Sequence, residues 1–337
     1  MSPKKTESTR EKPDDTVSIW VVRVVSIVAL GTVFALLVVD SDAIVHGHPA
    51  YWVLLFFTLV LAVIAGLRSL RVGELRTRRR RIWRIVLSAL GLLGLAVIAW
   101  LAPSGVSAEG TDALVSDDTV TVVESTTDIT LTPVGVIDSG GSMPTAVLFQ
   151  PGAKVDARAY VSLMRPLAEA GHLVVIPKQP LSIGFLAIGA LDSARAGHPD
   201  ISSWVVGGHS LGGTTAAVEA TAGTGSSAGA SAGTSPADVA GLFFYASYPA
   251  TSIRNVTFPV LSISGDKDGL STPAKIADSV ALLPADTEFV VIPGANHAMF
   301  GNYGPQVGDG IATADRVTAQ AEISRVTLDW LSAIDSK

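Results

Sequence analysis

The chain has 337 residues, 48% of them hydrophobic and only 16% charged, with a mean hydropathy of +0.44. That is too apolar for an ordinary soluble protein and points to membrane spans beside a globular domain. The net charge of −6 is uneven: residues 1–102 carry 13 Lys/Arg against 7 Asp/Glu, and residues 103–337 carry 11 against 23. An acidic second part of this kind repels a phosphate backbone, so nucleic acid is not an expected partner. The absence of cysteine excludes disulfides, thiolate zinc sites and a cysteine nucleophile.

Residues 1–16 read as a polar tail, with Lys4, Lys5, Arg10 and Lys12. Three apolar stretches follow, at 17–39, 51–67 and 85–102, inside a membrane region spanning 17–102. A helix crosses the hydrocarbon core with about 20 apolar residues, and roughly 17 is the lower bound. Arg23 lies near the start of the first stretch, where its side chain can snorkel to the interface. Tyr51, Trp52, Trp83 and Trp100 sit near span ends, as interfacial aromatics do. A cleaved signal peptide is the alternative for the first stretch; its length and the two further spans speak against it.

Loop charge orients the spans. Residues 68–84 hold eight arginines against the single acid Glu74, whereas residues 40–50 hold no Lys or Arg and two aspartates. The arginine run could also read as a nucleic-acid patch, but between two spans it serves as a topology signal. The expectation is a multi-pass protein of the cell membrane, with its N-terminus in the cytoplasm and everything after about residue 103 outside.

Residues 103–118 read as a linker, and 119–337 as a catalytic domain. Alternating stretches at 119–124 and 128–133 predict an edge hairpin. Strands are then predicted at 146–150, 173–177, 203–207, 241–245, 260–264 and 288–292. Helices are predicted at 157–170, 185–196, 211–221, 272–283 and near 313–334. Such alternation implies a mostly parallel sheet with helices on both faces. Residues 222–236 are almost wholly small and read as a flexible insertion rather than a lid.

The chemistry centres on Gly208-His209-Ser210-Leu211-Gly212, which follows an apolar strand and opens a helix. That context is what a nucleophile elbow requires, with glycines flanking a turn too tight for bulk. A serine hydroxyl needs a base oriented by an acid. Both follow in the order Ser, Asp/Glu, His, each just after a strand. The first lies in Gly265-Asp266-Lys267-Asp268-Gly269 and the second is His297, in Gly294-Ala295-Asn296-His297. Asp266 and Asp268 both lie in the right loop. Asp268, three residues after the strand's last glycine, is favoured, which leaves Asp266 to shape the turn.

An oxyanion hole takes one backbone N–H from Leu211 and another from the loop after 146–150, assigned to Ala153 with Gly152 as the fallback. Lys154 reads as a surface lysine, though it could hold an anionic substrate. Met299 and Phe300 line a pocket or fill the core. His46, His48, His172, His198 and His209 are weaker candidates than His297, whose position follows from the serine motif. The chain has no HExxH, no P-loop and no GxGxxG after a strand, so neither a metal nor another cofactor is implied.

GHSLGG, GDKD and GANH, in this order and spacing, resemble the α/β-hydrolase superfamily across roughly residues 115–337. PGAKVDARAY (151–160) and GANHAMFGNYGPQVGDG (294–310) resemble a bacterial group related to dienelactone hydrolases, whose members often carry N-terminal membrane spans. The resemblance implies an α/β-hydrolase fold, a Ser210–Asp268–His297 triad and carboxylic-ester hydrolysis. Two departures stand out. Dienelactone hydrolases themselves use a cysteine nucleophile, and Ala153 stands where the group tends to have a second glycine. The expected substrate is a small-molecule ester or a lipid-like one, with the lipid bilayer as the partner of the N-terminal helices. Acyl transfer to a cell-envelope lipid or sugar, and a non-catalytic sensing module on a hydrolase scaffold, are the competing readings.

Overall fold

The computed structural model describes residues 16–71, 78–135, 144–222 and 239–336. The N-terminal tail, the middle of the arginine-rich loop and nearly all of the small-residue insertion at 222–236 lie outside the described residues.

The chain opens with helices α1 (Thr16–Val39), α2 (Ser41–His46), α3 (Pro49–Arg71) and α4 (Arg78–Trp100). Three of these, α1, α3 and α4, are long and apolar enough to cross a membrane, with mean hydropathies of 2.5, 2.4 and 2.2. Their bulky side chains point outward: Phe34, Phe57, Leu61 and Leu93 are all more than half exposed. On the inward face Ala29, Ala62 and Leu95 pack together. Helices α3 and α4 run past the apolar stretches into the flanking arginines, which are good helix formers. Arg23 donates from Nη2 to the Ser69 carbonyl (3.2 Å), one of the free carbonyls in the last turn of α3.

Contacts divide the chain into two compact units, one built from α1, α3 and α4. The other unites Asp42–Tyr51 with Pro103–Lys337. Its elements begin with α5 (Ala108–Thr111), β1 (Val120–Glu124), β2 (Asp128–Pro133), β3 (Ala146–Gln150), α6 (Val161–Glu169) and β4 (Val174–Pro177). They continue with α7 (Ala190–Gly197), β5 (Trp204–His209), α8 (Leu211–Thr221), β6 (Val239–Tyr245), β7 (Val260–Gly265), α9 (Pro273–Ser279), β8 (Glu288–Ile292) and α10 (Arg316–Asp335). Residues 103–118 are folded against this unit rather than extended away from it. Gly110 of α5 is buried, and the Ser107 N–H donates to the Asn302 carbonyl (2.7 Å).

The eight strands form one sheet in the order β1-β2-β4-β3-β5-β6-β7-β8. Strand β2 is antiparallel to both β1 and β4, and all other pairs are parallel. This is the α/β-hydrolase fold, with β1 and β2 as the expected edge hairpin. Strand alternation divides the core in two. Val147, Phe149, Val205, Phe243 and Tyr245 face α6 and α10, meeting Leu163, Met164, Ile323 and Trp330. Ala146, Leu148, Val206, Leu242 and Phe244 face the other way, meeting Leu191 of α7 and Ala216, Ala217 and Ala220 of α8.

The chain leaves β3 toward β4 on one side and returns to β5 on the other. The carboxyl ends of β3 and β5 therefore flank the crevice where open α/β sheets bind ligands. Two expected helices are divided. The stretch predicted over 185–196 breaks at Gly189 (φ 100°), whose N–H donates to Glu219 Oε1 (3.0 Å) and so leaves the helix ladder. The one predicted over 157–170 opens with the 3₁₀ turn Ala157–Tyr160, capped by the Asp156 side chain.

Phe243 is fully buried and stacks on Phe149 (6.0 Å between ring centroids) and against Tyr245 (4.9 Å). Phe243→Ala should cost about 3–5 kcal/mol, through lost burial and the cavity left behind. Denaturant unfolding of the full chain in detergent reads this as a lower midpoint, and an unchanged midpoint contradicts the packing described.

Candidate active site

Strand β5 runs straight into α8 through Ser210, which has φ 54° and ψ −126°. A side chain in that region is strained by on the order of 1–3 kcal/mol, so its surroundings must hold it there. They do so with backbone bonds. The Ser210 N–H donates to the Tyr245 carbonyl (3.0 Å), and its own carbonyl accepts from Ser247 Oγ (2.5 Å) and the Gly213 N–H (3.1 Å). Glycine is required beside it for space. A Cβ on Gly208 would lie 2.5 Å from the Gly212 backbone, and one on Gly212 would overlap the carbonyls of Gln150 and Pro151. The Ser210 hydroxyl, held out at the strand end, has no hydrogen-bond partner among the described residues.

Strands β7 and β8 bring the other two groups together. Asp268 is 3% exposed; its Oδ1 accepts from the N–H groups of Leu270 (2.7 Å) and Ser271 (2.8 Å). Its Oδ2 lies 2.8 Å from His297 Nδ1. A carboxylate partner favours the tautomer that carries its proton on Nδ1 and leaves a lone pair on Nε2. That Nε2 is buried and has no hydrogen-bond partner among the described residues. Asp266 lies elsewhere: its Oδ1 accepts from the Gly294 N–H (2.5 Å) and Oδ2 pairs with Lys267 (3.2 Å). The Gly294 N–H holds its carboxyl below the usual range, and its partners are Gly294 and Lys267 rather than His297.

The ring of His209, next to Ser210 in the chain, lies 4.4 Å from the ring of His297. The histidine loop is thereby brought to the elbow, and further residues hold it there. Asp309 accepts from the N–H groups of His297 (3.1 Å), Ala298 (2.9 Å) and Gly269 (3.1 Å), tying the acid loop to the histidine loop. Arg316, at the start of α10, donates to the Ala298 and Gly301 carbonyls (2.6 Å each). Met299 and Phe300 are buried in the core cluster rather than lining an open pocket.

The loop after β3 is Pro151-Gly152-Ala153-Lys154. The Gly152 N–H donates to the Tyr160 hydroxyl (3.0 Å), which is hydrogen-bonded to His209 Nδ1 (2.8 Å). A Cβ on Gly152 would fall 2.7 Å from that Nδ1 and 2.8 Å from the Tyr160 oxygen. With the Gly152 N–H committed inward, the N–H groups of Ala153 and Leu211 remain, and neither has an acceptor among the described residues. A buried polar chain supports the loop from behind. Gln179 Nε2 donates to the Pro151 carbonyl (2.9 Å) and to Gln150 Oε1 (2.9 Å), and Gln150 Nε2 donates to Glu219 Oε2 (2.7 Å). Burial pushes the Glu219 carboxyl up.

Sequence reasoning ranked His209 low and missed Tyr160, Asp309, Ser247 and Glu219. The GHSLGG motif held the only local signal, and it marked Ser210 rather than its neighbour. The remaining histidines serve elsewhere. His172 Nδ1 donates to the Thr145 carbonyl (2.8 Å), His48 accepts from the Ala50 N–H (3.1 Å), and His46 bonds Glu124 (3.1 Å). His198 closes α7 through its N–H.

His209 is buried, and its desolvation, with His297 nearby, pushes its pKa well below the ordinary histidine value of 6.5. The folded state therefore binds fewer protons there than the unfolded chain. This contribution is fully present above about pH 7.5 and is lost as pH falls through 6.5, at up to about 1.4 kcal/mol per pH unit. His209→Gln should flatten the acid side of the stability profile between about pH 7 and 5. Unfolding free energies measured across that range check this, and parallel profiles for the two proteins contradict it.

Residues 146–321, just over half of the chain, match the family described as Alpha/beta hydrolase family. No curated protein matches the chain significantly. Among solved structures the chain is similar to the propionate-bound thermophilic esterase Est2 of Thermogutta terrifontis, at 12% identity and a TM-score of 0.45, covering 64% of this chain and 94% of that one. It is similar to Est1E from Butyrivibrio proteoclasticus at 12% identity and a TM-score of 0.41, covering 64% and 99%. The esterase domain of a Rhodothermus marinus protein gives 15% identity and a TM-score of 0.43, covering 63% and 97%. By the match over more than half its length, the chain belongs to the alpha/beta hydrolase family.

Proposed function

We propose that this protein is a membrane-anchored serine hydrolase that cleaves carboxylic esters. The observation that carries the reading is the Asp268–His297 hydrogen bond of 2.8 Å beside the strained Ser210 elbow. Asp268, fixed by two backbone N–H groups, orients the imidazole so that Nε2 is the basic atom. Ser210 Oγ attacks the ester carbonyl and its proton passes to Nε2. The N–H groups of Leu211 and Ala153 stabilise the oxyanion. Collapse breaks the carbon–oxygen bond, and His297 returns the proton to the departing alcohol. Water, deprotonated by His297, then attacks the acyl-enzyme, releasing the acid and restoring Ser210.

The outward apolar side chains of α1, α3 and α4 support anchoring in a bilayer, where such a surface is stable. Arginine in the loop between α3 and α4, set against its absence from residues 40–50, supports an extracytoplasmic hydrolase domain. The segments PGAKVDARAY and GANHAMFGNYGPQVGDG support a place near the dienelactone-hydrolase branch, with serine in the role of its cysteine.

On p-nitrophenyl acetate and butyrate, the full chain in detergent should turn over, and Ser210→Ala should fall to background. Asp268→Asn should lower kcat by about 10³–10⁴-fold, because the imidazole loses its orienting acceptor. Equal turnover by Ser210→Ala and the wild type rejects the serine mechanism. Protease added outside sealed cells should digest the hydrolase domain, and protection of that domain reverses the proposed orientation.

A further inference from the structure

The segment between the first two apolar helices packs with the hydrolase domain: Asp42–Tyr51 and Pro103–Lys337 form one unit. Ala43 and Ile44 of α2 are 4% and 1% exposed. Ala43, Gly47 and His48 share a small crevice with Pro151, Val155 and Ala157. Asp42 makes the polar contact. Both its carboxylate oxygens accept from Arg158, at 3.3 Å from Nη1 and 2.6 Å from Nη2. The side chain of Arg158 is only 5% exposed and also donates to Asp156 Oδ2 from Nε (2.9 Å) and Nη2 (2.5 Å). Asp156 is buried in turn, and its Oδ1 accepts from the Arg158 N–H (3.0 Å).

The segment after the third apolar helix reaches the same place. The Ser104 N–H donates to the Lys154 carbonyl (2.7 Å), the Asp156 N–H donates to the Ser104 carbonyl (2.9 Å), and Ser104 pairs with Val155 as a parallel bridge. Lys154 itself has φ 59°, a conformation held by these bonds and by its N–H to the Ser182 carbonyl (2.8 Å). Residues 154–158 are thus gripped by the two chain segments that lead away from the apolar helices. They directly follow Ala153.

We infer that Asp42, through Arg158 and together with Ser104, is a positioning residue for the oxyanion loop, so that the membrane-proximal segments complete the active site as well as tether it. The inference rests on the proposed role of the Ala153 N–H. Neither Asp42 nor Ser104 touches the reacting atoms; they fix the backbone on which one oxyanion donor sits. Arg158 keeps Asp156 when Asp42 is lost, so removing Asp42 loosens the loop without leaving a buried charge unpaired. A second contact, Glu124 with His46 (3.1 Å) and Lys178 (2.7 Å), holds the same segment and should keep it docked when Asp42 is changed.

The test uses the full chain in detergent micelles or nanodiscs, comparing wild type with Asp42→Asn, Asp42→Glu and Ser104→Pro, which lacks the donating N–H. Amide exchange over residues 151–158 and steady-state turnover of p-nitrophenyl acetate are measured together. Asp42→Asn and Ser104→Pro should speed exchange in that segment while the β5–β7 core stays protected. They should lower kcat by about 10- to 100-fold with little change in KM, as expected when a transition-state donor is misplaced by a fraction of an ångström. Asp42→Glu should recover part of the loss.

Unchanged exchange and kcat in both variants overturn the inference. So does a fall in kcat that accompanies faster exchange throughout the core, which marks Asp42 as a general stability residue. Wild-type protein with no turnover, or with turnover that Ser210→Ala retains, defeats the serine mechanism instead. The exchange measurement then still decides whether Asp42 and Ser104 hold the loop.

Discussion

The end of β3 and the start of α8 approach so closely that Gly212 lies against the carbonyls of Gln150 and Pro151. No side chain fits there, and the rest of the site follows from that contact. It sets the loop after β3, which carries Ala153, beside the elbow after β5, which carries Leu211. Ser210, two residues before Gly212, has positive φ, which the bonds from Ser210 to Tyr245, Ser247 and Gly213 sustain. Ala246, at the end of the neighbouring strand β6, also has positive φ (45°), whereas β3 and β5 pair in unbroken register.

Around this contact the protein buries polar groups and links them in chains, although Gln179 Oε1 and His209 Nε2 have no partner among the described residues. The Gly152–Tyr160–His209 chain lies on one side, and the Gln179–Gln150–Glu219 chain on the other. Burial keeps the Tyr160 phenol protonated and His209 neutral, so the first chain carries no charge into the core. A neutral ring beside His297 suits the proposed mechanism, because a second imidazolium there would oppose protonation of Nε2. Such chains specify geometry only when each member finds its partner, and truncating one strands another. Here they support the loop that supplies the proposed oxyanion donor.

Much of this was legible in the sequence, and for identifiable reasons. Strands β3 and β8 and helix α8 fall at the expected bounds, because continuous apolar runs and a glycine-rich turn mark them locally. Ser210, Asp268 and His297, the proposed triad, could be singled out because a parallel sheet delivers successive strand ends to one edge, which makes order along the chain informative. That Asp268 bonds His297 while Asp266 bonds Gly294 needed coordinates, since two aspartates two residues apart share every sequence signal. Asp309 was invisible for a different reason: it acts through backbone N–H groups, which leave no residue signature. Tyr160 lies 49 residues from His209, and Asp42 lies 116 from Arg158. The folding of residues 103–118 was hidden likewise, because the partner of Ser104 is the backbone beside Val155.

The central claim is that Ser210 is an activated nucleophile, and a covalent probe tests it most directly. After brief exposure of the folded full chain to a fluorophosphonate, peptide mass mapping should place one adduct on Ser210. Prior denaturation should abolish the reaction, because the reactivity depends on the assembled loops. An unmodified Ser210 in folded protein, or an adduct formed at another serine instead, contradicts the account.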